Sequence, residues 1–119
     1  KLLKKVLMSS KRNYDIVLKK DDISLSCIGF YDSGNTLTEP VSGRPVIIIS
    51  EKAAQSFAGE PKIQISFNTV SDKAAVMNAI HIDELTFCSE KISVHNIYAG
   101  IGNIDEKQFD VLLHSDIHV

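Results

Sequence analysis

The chain has 119 residues, 44% of them hydrophobic, with no Trp and a formal net charge of −2. A chain of this length supports one domain around one core, and no apolar run approaches the ~20 residues needed to span a bilayer. Charge is uneven: residues 1–20 hold seven Lys or Arg against Asp15, a sum of +6, and the other 99 residues hold six basic and fourteen acidic side chains, a sum of −8.

Residues 1–13 read as a basic, poorly patterned arm. "KLLKKVLMSS" is too short and too charged in its middle for a signal peptide. The first residue is Lys, so a fragment or processed form is expected, with something upstream. Such an arm suits contact with nucleic acid or an anionic membrane surface, or is a solvated tail. "YDIVLKKDDISLSCIGFYD" follows. Tyr14, Ile16 and Leu18 alternate with Asp15, Val17 and Lys19, and Ile23, Leu25 and Cys27 alternate with Ser24 and Ser26. With "KKDD" as the polar turn, this predicts a β-hairpin. From Cys27 to Tyr31 the chain becomes apolar on both faces.

"EPVSGRP" is a loop by its prolines and glycine, and "VIIIS" is a short buried strand. Ser50 is a good N-cap, Glu51 suits a first helical turn and Gly59 a stop, which predicts one short helix over "EKAAQSFA". "KIQISF", "IHIDELTF" and "KISVHNIYAGIG" alternate like strands, and "NTVSDKAAVMNA" fits either helix or strand. "DEKQFDVLLHSDI" ends in the apolar triplet Val111, Leu112, Leu113. There are no repeats. The expected fold is mostly β, a domain of short strands with one or two short helices. Cys27 and Cys88 lie far apart in no CxxC pattern, and are expected to be two buried free thiols in a reducing compartment.

The chemically suggestive stretch is "FYDSGNTLTEP". Asp, Ser, Gly and Asn build tight turns, since short polar side chains bond their own backbone and Gly accepts positive φ. An Asp at the exit of a buried strand, followed by Ser-Gly, is also the arrangement of aspartic peptidases. Their chemistry needs two carboxylates about 3 Å apart sharing one proton. One carboxylate deprotonates a water while the other protonates the scissile carbonyl. The tripeptide fits a simple turn as well as a catalytic loop.

The wider stretch "YDSGNTLTEPVSGRPVIIIS" resembles the sporulation sigma-E factor-processing peptidases. It matches their pattern at Asp32, Ser33, Gly34, Asn35, Leu37, Pro40, Gly43, Pro45 and Val46, with Glu39 where Asp is common. The likeness continues through "FNTVSDKAAVMNAIHIDEL" and "FDVLLHSDI", and so covers most of residues 14–117. It implies a retropepsin-like, closed β-barrel-like domain over 14–119 with a basic juxtamembrane-type linker at 1–13. Asp32 would be catalytic, with Ser33, Gly34 and Asn35 as its active-site loop. The resemblance also implies a polytopic membrane half upstream, a cytoplasmic peptidase half, and a sigma-factor precursor as substrate. One Asp-Ser-Gly per chain implies a homodimer in which Asp32 meets its own copy. No metal or organic cofactor is expected.

Three departures from the retropepsin pattern stand out. Retropepsins use Asp-Thr-Gly and carry an apolar-apolar-Gly element near the C-terminus; here that element is Leu112-Leu113-His114. The candidate flap, Thr69 to Ala79, has no Gly.

Other candidates carry less. His81, His95, His114 and His118 have no spacing that gathers three or four metal ligands. Cys27 lacks a His or Asn partner placed by sequence and sits on an alternating strand, which suits the core. "AGIGN", residues 99–103, lacks the third Gly and the Lys of a phosphate loop. Lys4, Lys5, Lys11 and Arg12 lack interleaved aromatics, so no nucleic acid is expected. The competing readings are a retropepsin-like module that binds a partner without catalysis, and a basic-armed nucleic-acid binder.

Overall fold

The computed structural model describes residues 12–67, 75–104 and 108–117. Seven strands follow in chain order: β1 (Asn13–Lys20), β2 (Ile23–Tyr31), β3 (Val46–Ile49), β4 (Ile63–Phe67), β5 (Ala75–Phe87), β6 (Ile92–Ile101) and β7 (Val111–Leu113). A single α-helix turn, α1 (Glu51–Ala54), lies between β3 and β4 and tightens into a 3-10 turn over Gln55–Phe57. The sheet runs β1-β2-β7-β3-β6-β5-β4, and β5 also pairs with β1. That extra pairing closes six strands into a barrel of the retropepsin-like kind, with β4 attached outside the ring.

The hairpin expected at residues 14–31 is present, with Lys20 opposite Ile23 and a two-residue loop at Asp21-Asp22. Asp21 takes a positive φ of 51°, and its amide donates to Asp83 Oδ2 at 2.8 Å. Alternation works on β1 because one face meets the core: Tyr14, Ile16 and Leu18 are buried while Asn13, Asp15 and Lys19 are exposed. β1 begins at Asn13, and the Arg12 carbonyl already accepts from the Tyr31 amide at 2.7 Å. Residues 1–11 and His118 lie outside the described residues, as does most of the candidate flap.

β5 joins the last five residues of the ambiguous segment, Ala75–Ala79, to "IHIDELTF" in one 13-residue strand, and the rest of that segment lies outside the described residues. Its first half, Ala75–Ala79, pairs with β4, and Glu84–Phe87 pairs with β1. Its inward parity switches along the way: Ile80 and Ile82 are buried, then Leu85 and Phe87. The switch falls where the β5–β6 ladder skips Asp83 and Asn96. Asn96 has φ of 56°, a left-handed geometry that Asn tolerates better than most side chains.

Seventeen buried residues form the main core, among them Ile16, Leu18, Phe57, Ile82, Leu85, Phe87, Val111 and Leu113. A smaller cluster of Val46, Ile65 and Ala79, joined by Leu37, Ile48, Met77 and Tyr98, fills the space under the β4–β5 extension. Ser50 caps α1 as expected, its Oγ accepting from the Ala53 amide at 3.0 Å. The helix ends by tightening before Gly59, which is not among the residues with positive φ. Both cysteines are free, but Cys88 is exposed and only Cys27 is partly buried. The expectation of two buried thiols is therefore corrected at Cys88, which lies one residue past β5: its amide still donates to the Asp15 carbonyl of β1 at 2.9 Å, while the residue is exposed.

Candidate active site

The loop at Asp32 is positioned by two strands that meet only in the folded chain. β2 runs parallel to β7, with Gly29, Phe30 and Tyr31 opposite Val111, Leu112 and Leu113. A Cβ on Gly29 would stand 3.0 Å from Ile16 Cδ1 and 3.2 Å from Leu113, so glycine permits β1, β2 and β7 to close up here. Past Tyr31 the chain leaves the sheet, and Asp32 sits half-buried at the barrel end.

The Asp-Ser-Gly-Asn turn has an internal order. The Gly34 amide donates to Asp32 Oδ1 at 2.9 Å, and the Asn35 amide to the Asp32 carbonyl at 3.0 Å. A Cβ on Gly34 would lie 3.2 Å from that same Oδ1, so the glycine keeps space beside the carboxylate. Ser33 and Gly34 are exposed. Asn35 is buried and fully engaged. Its Nδ2 donates to the Val46 carbonyl at 3.0 Å and to the Leu113 carbonyl at 3.4 Å, and its Oδ1 accepts from the Leu37 amide at 3.2 Å. Its carbonyl accepts from the Ser115 amide at 2.9 Å. Asn35 thus fastens the Asp32 loop to β3, β7 and the turn after β7.

On the other side of Asp32, Tyr31 Oη donates to the Ser115 carbonyl at 3.1 Å. The Arg12 guanidinium lies 5.9 Å from the Tyr31 ring centre, within the range of a cation–π contact. The two backbone groups of Ser115 therefore bracket the Asp-Ser-Gly-Asn stretch, one bonded before Asp32 and one after it. His114, at the position where retropepsins have Gly, is 1% exposed and packed behind this bracket. Its Nδ1 accepts from the Asp116 amide at 3.0 Å.

Glu39, beyond Asn35, organises the following loop. Its carboxylate accepts from the Val41 amide at 2.9 Å and the Ser42 amide at 2.8 Å. Those bonds, the Val41 amide foremost and Ser42 next, hold its carboxyl below the usual carboxylate range. Gly43 turns with φ of 71° and donates to the Glu39 carbonyl. Sequence reasoning noted Glu39 only as an acid in a family pattern. The available signal was a side-chain acceptor two and three residues before two exposed amides in a Pro/Gly loop.

The other candidates fall elsewhere. The Cys27 thiol is pushed up to about 12, mainly by burial and then by the charges of Asp110 and Cys88, so it is a poor nucleophile. Gly100 and Gly102 of "AGIGN" serve close packing: a Cβ on Gly100 would strike Met77 Sδ, and one on Gly102 would stand 2.7 Å from Ile48 Cγ2. His81 lies beside Lys20 and Asp83, and His95 beside Glu84. Among the described residues, no group of three or more His, Cys, Asp or Glu is arranged to hold a metal ion. Asp83 accepts from the Asp21 amide and Asp110 from the Ile28 amide, so both carboxylates brace backbone.

A closed six-stranded barrel with one Asp-Ser-Gly loop at the end of an inner strand has the architecture of a retropepsin-like domain. The chain belongs to a peptidase family, that of the sporulation factor SpoIIGA, whose family model matches residues 1–117. It is thus a sporulation-factor processing peptidase that acts on protein. No curated protein and no solved structure matches the chain. Among the described residues, no helix is long and apolar enough to cross a membrane.

Proposed function

We propose that this domain is an aspartic endopeptidase that removes the N-terminal pro-segment of a sporulation sigma-factor precursor. In this reading it works as a homodimer in which each chain contributes Asp32. The observation that carries the reading is the half-buried Asp32 on a loop bonded to its own amides and to two strands. Such a carboxylate is reachable by substrate yet fixed in direction, which catalysis by positioning requires.

One carboxylate cannot both deprotonate a water and protonate a carbonyl oxygen. Two Asp32 side chains across a two-fold axis share one proton, because like charges that close do not both ionise. The ionised member takes a proton from water as the water attacks the scissile carbonyl carbon. The protonated member gives its proton to the carbonyl oxygen. Collapse of the tetrahedral intermediate then breaks the C–N bond, with a proton delivered to the leaving amine. Ser33 and Gly34 shape the loop and Asn35 fixes it. In this reading the basic residues ahead of β1, 1–11, are a juxtamembrane linker that joins a cytoplasmic domain to upstream membrane segments, whose tethering raises the effective concentration of the two copies.

The test is co-expression with a sigma-factor precursor. Asp32→Asn keeps the shape and removes the titratable carboxyl, so processing is expected to fall to background in a folded variant. Processing retained by a folded Asp32→Asn protein refutes the aspartic mechanism. A coiled-coil fusion is expected to raise the rate, and mixing it with an equal amount of Asp32→Ala fusion to lower activity beyond dilution. Activity indifferent to the mutant means that one chain suffices.

A further inference from the structure

We infer that His114 is a positioning residue of the active site. Through its Nδ1 it shapes the turn that presents Ser115 to both flanks of Asp32. The inference rests on the aspartic-peptidase reading for its effect on turnover, and on geometry alone for its effect on the loop.

His114 follows β7 directly and is buried. Its Nδ1 accepts from the Asp116 amide at 3.0 Å, two residues on, while its carbonyl accepts from the Ile117 amide at 2.9 Å. A side-chain acceptor bonding the amide two residues later is the geometry by which Asn and Asp fold their own backbone into a turn. Here an imidazole does the same. The turn leaves the peptide groups of Ser115 facing the loop: its amide donates to the Asn35 carbonyl at 2.9 Å, and its carbonyl accepts from Tyr31 Oη at 3.1 Å. The spacing from Tyr31 to Asn35 around Asp32 is therefore set by a turn that His114 closes.

The ring chemistry sharpens this. Accepting an N–H at Nδ1 requires a lone pair there, so the neutral ring carries its proton on Nε2. Nε2 is buried and makes no hydrogen bond among the described residues. The Nδ1 contact is thus the hydrogen bond that orients the ring. An Asn side chain places its oxygen near the Nδ1 position, Gln places its end group near Nε2, and Leu has the shape of Asn with no acceptor.

The experiment uses the intact domain and three variants. In the wild type, long-range 15N correlation of the His114 ring near neutral pH is expected to show unprotonated Nδ1 and protonated Nε2. The opposite tautomer overturns the proposal without any mutation. In His114→Leu and His114→Gln, amide exchange at Ser115 and Leu37 is expected to accelerate at least tenfold, and in His114→Asn to stay within about threefold of wild type. Equal behaviour of the Leu and Asn variants, whether both protected or both lost, overturns the proposal. In the dimerised enzyme, kcat is expected to follow the same order with KM little changed. If the exchange order holds and no variant or wild type cleaves, the peptidase reading fails while the positioning role stands. If cleavage is robust and insensitive to all three substitutions, the positioning role fails and the peptidase reading stands.

Discussion

Replacing Asn35 by Ala removes the brace of the Asp32 loop without touching Asp32. Three hydrogen bonds vanish, two of good length at 3.0 and 3.2 Å and one long at 3.4 Å. Asn35 is 7% exposed, so water does not freely replace the lost partners. A buried hydrogen bond contributes about 1 kcal/mol net, and an abandoned buried donor or acceptor costs about 1–3 kcal/mol. The sum is about 2–4 kcal/mol, a large part of the ~5–15 kcal/mol typical of a domain. For a chain of this size each kcal/mol moves Tm by about 4 °C, so a fall of ~8–16 °C is expected. Differential scanning calorimetry and urea melts measure it directly. Asn35→Asp supplies the control: the oxygen facing Leu37 is kept, but a second oxygen now faces the carbonyls of Val46 and Leu113. That variant is expected to be at least as unstable near neutral pH and to recover in acid as the new carboxyl takes a proton. A Tm within about 2 °C of wild type for Asn35→Ala would refute the bracing argument.

Gly100→Ala is expected to destabilise by about 1–3 kcal/mol through collision with Met77, and Gly100→Ala with Met77→Ala to be coupled, a double-mutant cycle in urea showing a non-additive term. Iodoacetamide at pH 8 is expected to label exposed Cys88 and spare Cys27 in the folded protein, as read by intact mass. The folded Cys27 thiol stands above its ordinary 9.0. The stability it confers is therefore whole below pH 9 and lost as pH rises toward 12, and wild type is expected to lose more Tm over that range than Cys27→Ala. Removing residues 1–11 is expected to change stability by less than ~1 kcal/mol. Arg12→Ala is expected to remove about 0.5–1 kcal/mol from the contact with Tyr31, and a larger loss on trimming means that the arm packs into the fold.

The strands that bury one face were legible because polarity alternates where one side meets the core, as at Tyr14, Ile16 and Leu18. "VIII" was legible as a buried strand by its unbroken branched run. β5 was split because "AAVMNA" is built of residues that suit helix as well as strand, and its pairing with β4 on one half and β1 on the other decides the matter. The helix over "EKAAQSFA" was right in place and too regular in kind. Asp32 and its loop stood out in sequence because turn chemistry and family pattern are local. The brace did not, since Asn35 reaches Val46 and Leu113, 11 and 78 residues away, and His114 looked like a gap in a glycine pattern. Register between distant segments is a product of the closed barrel and leaves no short-range mark.

The parallel pairing of β2 with β7 also has a temporal meaning. Synthesis proceeds at roughly 5–20 residues per second, so Ser115 follows Asp32 into the growing chain by about 4–17 seconds. During that interval the nascent loop has neither Leu113 nor Ser115 to hold it, and the barrel lacks the strand that joins β2 to β3. A ribosome-stalled chain ending before Val111 is therefore expected to leave Gly34 and Leu37 open to exchange and protease. Vectorial synthesis thus completes the bracing of the Asp32 loop only after β7 and Ser115 have been made, which withholds its folded geometry from the nascent chain until then.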